Sequence, residues 1–230
     1  MNHRRLYLHE EVMLLALKDE EGTVAGGTMY AYALAGALLA ELMLQERVKV
    51  EQERRKTFLA VSGSKRIGDP LLDECLEKLK SAKRRATLQT WVGRFAGIKR
   101  LRHRVAEGLC DRRILKVDQD KVLLIFNRTI YPELDPEPER ELIGRMKRAI
   151  FSYDRDLDPR TVVVIALADT SGILKTVFDK KKLKDRKRRL KQITDGSAVG
   201  SATREAIQAM QAAVVAATVA ATVATTAATS

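Results

Sequence analysis

The sequence predicts an all-α protein: a mainly helical single domain with a central helical core, amphipathic outer helices and short β-hairpins. Three observations carry that expectation. Apolar residues recur at helical spacing through most of the chain. Helix starts are marked by Asp69-Pro70, Thr87 and Asp158-Pro159. Strand-like patterns are confined to two short stretches, near 47–61 and 114–126.

Residues 6–18 read as a helix, because Leu8, Val12 and Leu15 recur at i, i+4 and i+7. Glu10 and Glu11 fall in its first turn, Lys18 near its end, and Gly22 offers a stop. The stretch from Gly22 to Thr28 reads as a loop. Residues 29–46 form a second helix, Ala-rich and apolar on most sides, as expected of a central element. Glu41 interrupts that apolar run, so it is either paired in the core or placed on an exposed edge. The segments 47–52 and 57–61 form a two-stranded element joined by a charged turn. A helix starting at Asp69-Pro70 takes its apolar stripe from Leu72, Cys75, Leu76 and Leu79. A short helix from Thr87 turns Leu88, Trp91, Val92 and Phe95 inward.

Residues 98–112 read as a helix with Ile98, Leu101, Val105 and Leu109 as its buried stripe. Lys99, Arg100, Arg102 and Arg104 flank that stripe and crowd cations at one end. Directly afterwards, 114–117 and 122–126 are separated by Asp118-Gln119-Asp120-Lys121, a hairpin signal. The apolar run Val122-Leu123-Leu124-Ile125-Phe126 could serve as core, as an oligomer contact or as a membrane wedge. Pro132, Pro136 and Pro138 mark a turn region. Helices follow at about 139–151, 159–168 and 171–178, then a cationic helix over 179–193 with Leu183 and Leu190 inward. From Ala206 to Ser230 the chain is nearly all Ala, Val and Thr. Ala and Thr contribute little to bilayer insertion, so this segment reads as a core-packed final helix with a low-complexity tail. The expected division is a helical domain over 1–215 and a tail over 216–230.

Charge is the strongest functional signal. The 230 residues carry a formal net charge of +12, and aromatics are only 5%, which disfavours a base-stacking platform. Residues 83–113 hold ten Lys and Arg against Glu107 and Asp111, and residues 175–191 hold ten against Asp179 and Asp185. Each segment nets +8, which leaves the rest of the chain at −4. Two such concentrations predict docking on an anionic surface.

Chemistry for catalysis is sparse, and the expectation is a protein that is not an enzyme. His3, His9 and His103 show no metal-ligand spacing with Cys75 or Cys110, so neither a metal nor another cofactor is expected. Phosphate-binding glycine loops and nucleophile-elbow motifs are absent from the sequence. The two cysteines fall at apolar helical positions and read as buried thiols in a reducing compartment. The opening Met1-Asn2-His3-Arg4-Arg5 runs into an amphipathic pattern without a signal-peptide core, which points to the cytoplasm.

The segment Leu6-Tyr7-Leu8-His9-Glu10-Glu11-Val12-Met13-Leu14-Leu15-Ala16-Leu17-Lys18-Asp19-Glu20-Glu21-Gly22 resembles the start of the Golgi phosphoprotein 3 family. Further matches occur in the same order. They are Ala40-Glu41-Leu42, Asp69-Pro70-Leu71-Leu72-Asp73-Glu74, Thr90-Trp91, the basic helix, the hairpin up to Tyr131-Pro132, and Ile165-Ala166-Leu167-Ala168. The resemblance spans about residues 6–215. It implies a mainly helical peripheral membrane protein that recognises phosphatidylinositol 4-phosphate, used by eukaryotic members at the Golgi to grip the cytoplasmic tails of glycosyltransferases. The family's headgroup pocket uses a Trp after the first helix, an Arg in the second, and two cations three residues apart before the hairpin. Those two cations fall at Lys99 and Arg102. The Trp position falls at Gly26 or Gly27 and the Arg position at Ala35, so half of the pocket is replaced. With the acidic N-terminal extension of the animal proteins also missing, the chain reads as a divergent, prokaryotic-type member.

The expected function is therefore binding of anionic phospholipid headgroups at Lys99 and Arg102, with Arg100 and Arg104 adding to the field. The run Val122–Phe126 is expected to insert or to mediate homo-oligomer contacts. Membrane-protein tails are expected partners, through acidic patches such as 133–141. The alternative from another class is a nucleic-acid-binding, winged-helix-like module built from the basic helix and hairpin. Its apolar hairpin makes it the less favoured reading. The expected location is cytoplasmic and peripherally membrane-associated, at the Golgi in a eukaryotic cell.

Overall fold

Helix α1 (Leu8–Ala16) leads into the two-residue strand β1 (Leu17–Lys18), which pairs antiparallel with β2 (Thr23–Val24). Helix α2 (Gly27–Leu44) is followed by a hairpin of β3 (Val48–Glu53) and β4 (Lys56–Val61), then by α3 (Pro70–Lys80), α4 (Leu88–Ala96) and α5 (Leu101–Asp111). A second hairpin, β5 (Asp118–Val122) with β6 (Phe126–Ile130), precedes α6 (Glu137–Phe151) and α7 (Pro159–Thr170). The short helices α8 (Leu174–Val177), α9 (Lys180–Asp185) and α10 (Lys187–Thr194) complete the order. The computed structural model describes residues 5–18, 23–24, 27–122, 126–152 and 157–196, with helical positions 204, 207–208, 210–212 and 214–216 beyond them. Among these residues the strands form three separate two-stranded ladders, so the fold is mainly α, as the sequence predicts.

Helix α2 is the centre. Its residues 33–42 are all buried, and it packs against α1, α3, α4, α5 and α7. A helix apolar on every side has no solvent face to keep, which is why its sequence lacks any Lys or Arg. Helix α1 is also buried along its whole length, Glu10 and Glu11 included. The first amides of a buried helix cannot be left to water and need protein acceptors. Glu10 Oε2 accepts from Tyr7 N at 2.8 Å, and Glu41 Oε2 from α2 accepts from Leu8 N at 2.9 Å.

Glu41 is fully buried, and Arg160 from α7 meets it in a two-pronged pair at 2.9 and 2.8 Å. The same guanidinium donates to the Leu6 carbonyl at 2.9 Å. Burial by itself would raise the Glu41 pKa. The bonds from Arg160, Gln45 and the Leu8 amide more than reverse this and hold it below the ordinary carboxylate value. Of the two readings open for Glu41 in the sequence, core pairing is the correct one.

Most helix starts match their sequence signals. Asp69 Oδ1 accepts from Leu72 N at 2.8 Å, Thr87 Oγ1 from Thr90 N at 3.2 Å, and Asp158 Oδ2 from Thr161 N at 3.3 Å. Trp91 is a core residue, and its ring carries the Arg94 guanidinium 4.6 Å from its centroid. Towards the C-terminus, Ile207, Met210 and Val214 are buried, as expected of a core-packed final segment; residues 217–230 lie outside the described residues. Gly36 is where α2 receives that segment. A Cβ there would stand 2.9 Å from Val214 Cγ2 and 3.0 Å from Leu167 Cδ2.

Four readings need correction. The expected loop from Gly22 to Thr28 contains strand β2, and α2 already begins at Gly27. The second hairpin is shifted by four residues: its strands are 118–122 and 126–130, not 114–117 and 122–126. Ile114 and Leu115 are instead core residues after α5, and Leu115 bridges only to Glu133. The single cationic helix is two, because the backbone at Arg186 leaves helical geometry between α9 and α10. Cys75 is buried as expected, whereas Cys110 is half-exposed.

Arg160→Ala is expected to lower the unfolding free energy by about 3–5 kcal/mol in a urea titration, because it leaves the Glu41 carboxylate buried and unpaired. Gly36→Val is expected to loosen the C-terminal segment, because neither Val214 nor Leu167 can yield to a branched side chain without leaving its contacts. Faster limited proteolysis beyond residue 196 is the readout.

Candidate functional site: a cationic cleft beside the turn into helix α5

Helix α4 ends at Ala96, and Gly97, Ile98, Lys99 and Arg100 form the turn into α5. Arg100 has a left-handed backbone, φ 56°, a conformation that costs a non-glycine residue about 1 kcal/mol. This break corrects the expected helix over 98–112. Lys99 and Arg102 remain three residues apart, but Lys99 lies in the turn and Arg102 in the first turn of α5, so they do not share one helix face.

The turn borders a cleft of about 350 Å³ lined by Tyr30, Ala31 and Leu34 of α2 and by Ala96, Ile98 and residues 100–103. Arg100 and Arg102 are lining residues, while Lys99 is exposed between two of them. Neither Lys99 nor Arg102 forms an ion pair among the described residues. Arg100 is partly neutralised by Glu107 at 2.8 Å. Arg104 is engaged elsewhere, with Glu74 of α3 at 2.6 Å, and that contact holds the Glu74 carboxyl below its usual range. The structure therefore gathers Arg100 and Arg102 at the cleft, sets Lys99 at its rim, and removes Arg104 from it.

Two cleft groups carried no sequence signal. His103 lines the wall, and its Nδ1 lies 2.8 Å from the Tyr131 hydroxyl. Partial burial, then the nearby charges of Arg102 and Arg100, push the His103 pKa below its ordinary value, so it adds no charge at neutral pH. Tyr30 is buried, and its hydroxyl bonds to Met13 Sδ. Burial raises the Tyr30 pKa well above the usual phenol range, so this wall stays neutral. Ala35, the position matched to the family's second-helix Arg, is fully buried, and α2 offers no cation in its place. Gly26, one of the two candidates for the Trp position, lies outside the described residues, and Gly27 opens α2.

Leu123, Leu124 and Ile125 lie outside the described residues, as do the side chains of Val122 and Phe126. The backbone pairs Val122 with Phe126, the last residue of β5 and the first of β6.

A larger cleft of about 940 Å³ lies where α6 faces α1, with Arg5, Glu11, Arg112, Glu137, Arg140, Glu141, Arg145 and Arg148 among its lining residues. Most of its charges satisfy one another. Arg112 pairs with Glu10 at 2.6 Å, Arg140 with Glu137 at 2.9 Å, and Arg145 with Glu11. Desolvation dominates at Glu11 and pushes its pKa up to about 7, against the pull of Arg145, Arg160 and Arg5. Of the two first-turn acids, Glu10 does cap the start of α1 through Tyr7 N, but both acids are buried and their arginine partners come from α6 and the end of α5 rather than from the surface of α1. Among the described residues, no group of three His, Cys, Asp or Glu side chains gathers as a metal site.

The helical order and the cationic turn define the class: a mainly α-helical protein offering a basic cleft next to a hairpin. The family model described as Golgi phosphoprotein 3 (GPP34) matches residues 8–210, and the chain belongs to that family. Among its relatives, Vacuolar protein sorting-associated protein 74 of Schizosaccharomyces pombe is 23% identical over 223 residues. That alignment covers 83% of this chain and 66% of the relative, so the chain spans just under two thirds of the relative's length.

The raised Glu11 pKa carries a pH signature. The folded state binds this proton more tightly than the unfolded chain, so the stability it contributes is full below about pH 4.5 and is lost as pH rises through about 7. Glu11→Gln, which mimics the protonated form, is expected to flatten the fall in melting temperature between pH 5 and pH 8. The expected gain at pH 8 is on the order of 1–3 kcal/mol.

Proposed function

We propose that the protein is a peripheral membrane protein that binds anionic phospholipid headgroups at the turn into α5, with phosphatidylinositol 4-phosphate as the headgroup by family likeness. The observation that carries this reading is Arg102 lining the cleft and Lys99 exposed in the turn beside it, both without an ion pair among the described residues, opposite the neutral wall of Tyr30, Ala31 and Leu34. A phosphate needs several charge-assisted donors converging from different directions, and the break at Arg100 gives the two cations different approaches. Arg100 adds a third, partly neutralised guanidinium. The site is weaker than the family's full pocket, because Ala35 supplies no donor from α2.

Family membership supports an adaptor role for membrane-protein tails, Golgi-associated in a eukaryotic cell, and argues for a non-catalytic protein. Tail docking through the acidic start of α6, Glu137 to Glu141, is part of this proposal. No helix among the described residues is long and apolar enough to cross a membrane. The nucleic-acid reading is the less favoured one, because family membership points to a membrane-associated protein and the hairpin's sequence carries the apolar run Val122–Phe126 in place of a basic wing.

Co-sedimentation with vesicles tests the headgroup site. Lys99→Ala with Arg102→Ala is expected to weaken binding to vesicles containing phosphatidylinositol 4-phosphate by about 10- to 100-fold, from about 1 kcal/mol or more per cation. Equal pelleting with neutral and phosphoinositide vesicles, unchanged in the variant, sinks the proposal.

A further inference from the structure

The second basic segment has no part in the cleft, and its helices are built against their own electrostatics. Lys180, Lys181 and Lys182 open α9, while Lys187 and Arg188 open α10. A helix N-terminus carries partial positive charge and favours acids, so both helices begin with the wrong sign. Like charges also repeat at helical spacing within each helix, as in Lys180 with Lys184 in α9 and Lys187 with Lys191 in α10, which is mutually repulsive. Asp179 relieves only the first of these, by capping Lys182 N at 2.9 Å. Lys175, Lys180, Lys181, Lys182, Lys184, Lys187, Arg188 and Lys191 are all exposed, and none forms an ion pair among the described residues.

The inner side of the same helices is ordinary. Leu183 and Ile193 are buried, Leu190 is half-buried against the core, and Arg189 Nε donates to the Ala149 carbonyl at 3.1 Å. The pair is thus anchored by one side, and the other presents concentrated positive charge. The exposed large apolar residues among the described ones, Val61, Val117, Leu134 and Val215, all lie outside α9 and α10. This face offers nothing to insert between acyl chains and nothing to stack on a base.

We propose that the outer face of α9 and α10 is a second membrane-docking surface, reading the charge density of an anionic bilayer independently of the cleft at Arg102. It rests on the membrane reading above and adds an electrostatic arm to it. Charge complementarity selects the bilayer over nucleic acid. Lysines dominate the exposed set, and a lysine acts as a point charge that suits a diffuse lipid surface. Of the three arginines here, only Arg188 is exposed; Arg186 and Arg189 are half-buried, which leaves few forks for phosphate pairs or guanine edges. Docking would relieve the repulsion that the short helices now carry.

The test uses the full chain and vesicles of phosphatidylcholine with phosphatidylserine, without phosphoinositide, over a range of salt. Lys180→Gln, Lys181→Gln, Lys184→Gln and Lys187→Gln are combined; glutamine keeps helix propensity at exposed positions, and unchanged thermal unfolding checks the fold. The combined variant is expected to bind on the order of a hundredfold or more weakly, with a shallower salt dependence. Lys99→Ala with Arg102→Ala is expected to retain phosphatidylserine binding and to lose only the extra affinity for phosphoinositide vesicles. Equal serine-lipid binding by parent and combined variant overturns the proposal, as does a parent that shows no salt-sensitive pelleting. Loss of duplex DNA or RNA affinity in the combined variant, with vesicle binding unchanged, also overturns it and assigns the face to nucleic acid. Failure of the headgroup reading looks different: phosphoinositide gives no increment, while the four lysines still matter.

Discussion

The pairing of Arg160 with Glu41 is the interaction on which the rest of the structure depends. It joins three elements at one buried point: α7 supplies the guanidinium, α2 the carboxylate, and the start of α1 both a carbonyl and an amide. A helix buried along its whole length, as α1 is, must have its first amides satisfied by protein. Two glutamates do this, and each is held in place by an arginine from much later in the chain, Arg112 for Glu10 and Arg160 for Glu41. The core is therefore apolar packing pinned by a few charged contacts, and such contacts tolerate little change of geometry.

The cleft at α5 follows from that arrangement. With α2 fixed and apolar all round, the wall it offers is Tyr30, Ala31 and Leu34, and all polarity at the site has to come from the turn opposite. Arg100 supplies the turn by taking a left-handed backbone. The surrounding pairs then sort the cations. Glu74 draws Arg104 to α3 and Glu107 partly masks Arg100, which leaves Lys99 and Arg102 as the least compensated charges.

Much of the fold was legible in the sequence because its signals are local. Asp69-Pro70, Thr87 and Asp158-Pro159 open helices through their own side chains, and the stripes of α3 and α4 need only helical periodicity. The misses share a non-local cause. The apolar residues Ile114 and Leu115 look like strand, yet tertiary packing claims them for the core and moves the hairpin to 118–130. The turn at Arg100 was missed because its left-handed position holds an arginine rather than a glycine, although Gly97 stands three residues before it. Glu10 and Glu11 look like ordinary first-turn acids, because their arginine partners are distant in sequence. The candidate cleft was visible in the sequence only as charge. Lys99, Arg100 and Arg102 could be found from charge and family pattern, whereas Arg104's diversion and His103's contact with Tyr131 depend on neighbours that no spacing rule brings together.

The distance between Glu41 and Arg160 along the chain also bears on synthesis. They are 119 residues apart, so at about 5–20 residues per second the arginine emerges from the ribosome roughly 6–24 s after the glutamate. For that interval α1 and α2 have their apolar surfaces made, but the cation that neutralises their shared carboxylate does not yet exist. The contact that locks α1 to α2 is therefore completed only once α7 has been made, so the interior around Glu41 closes late in synthesis.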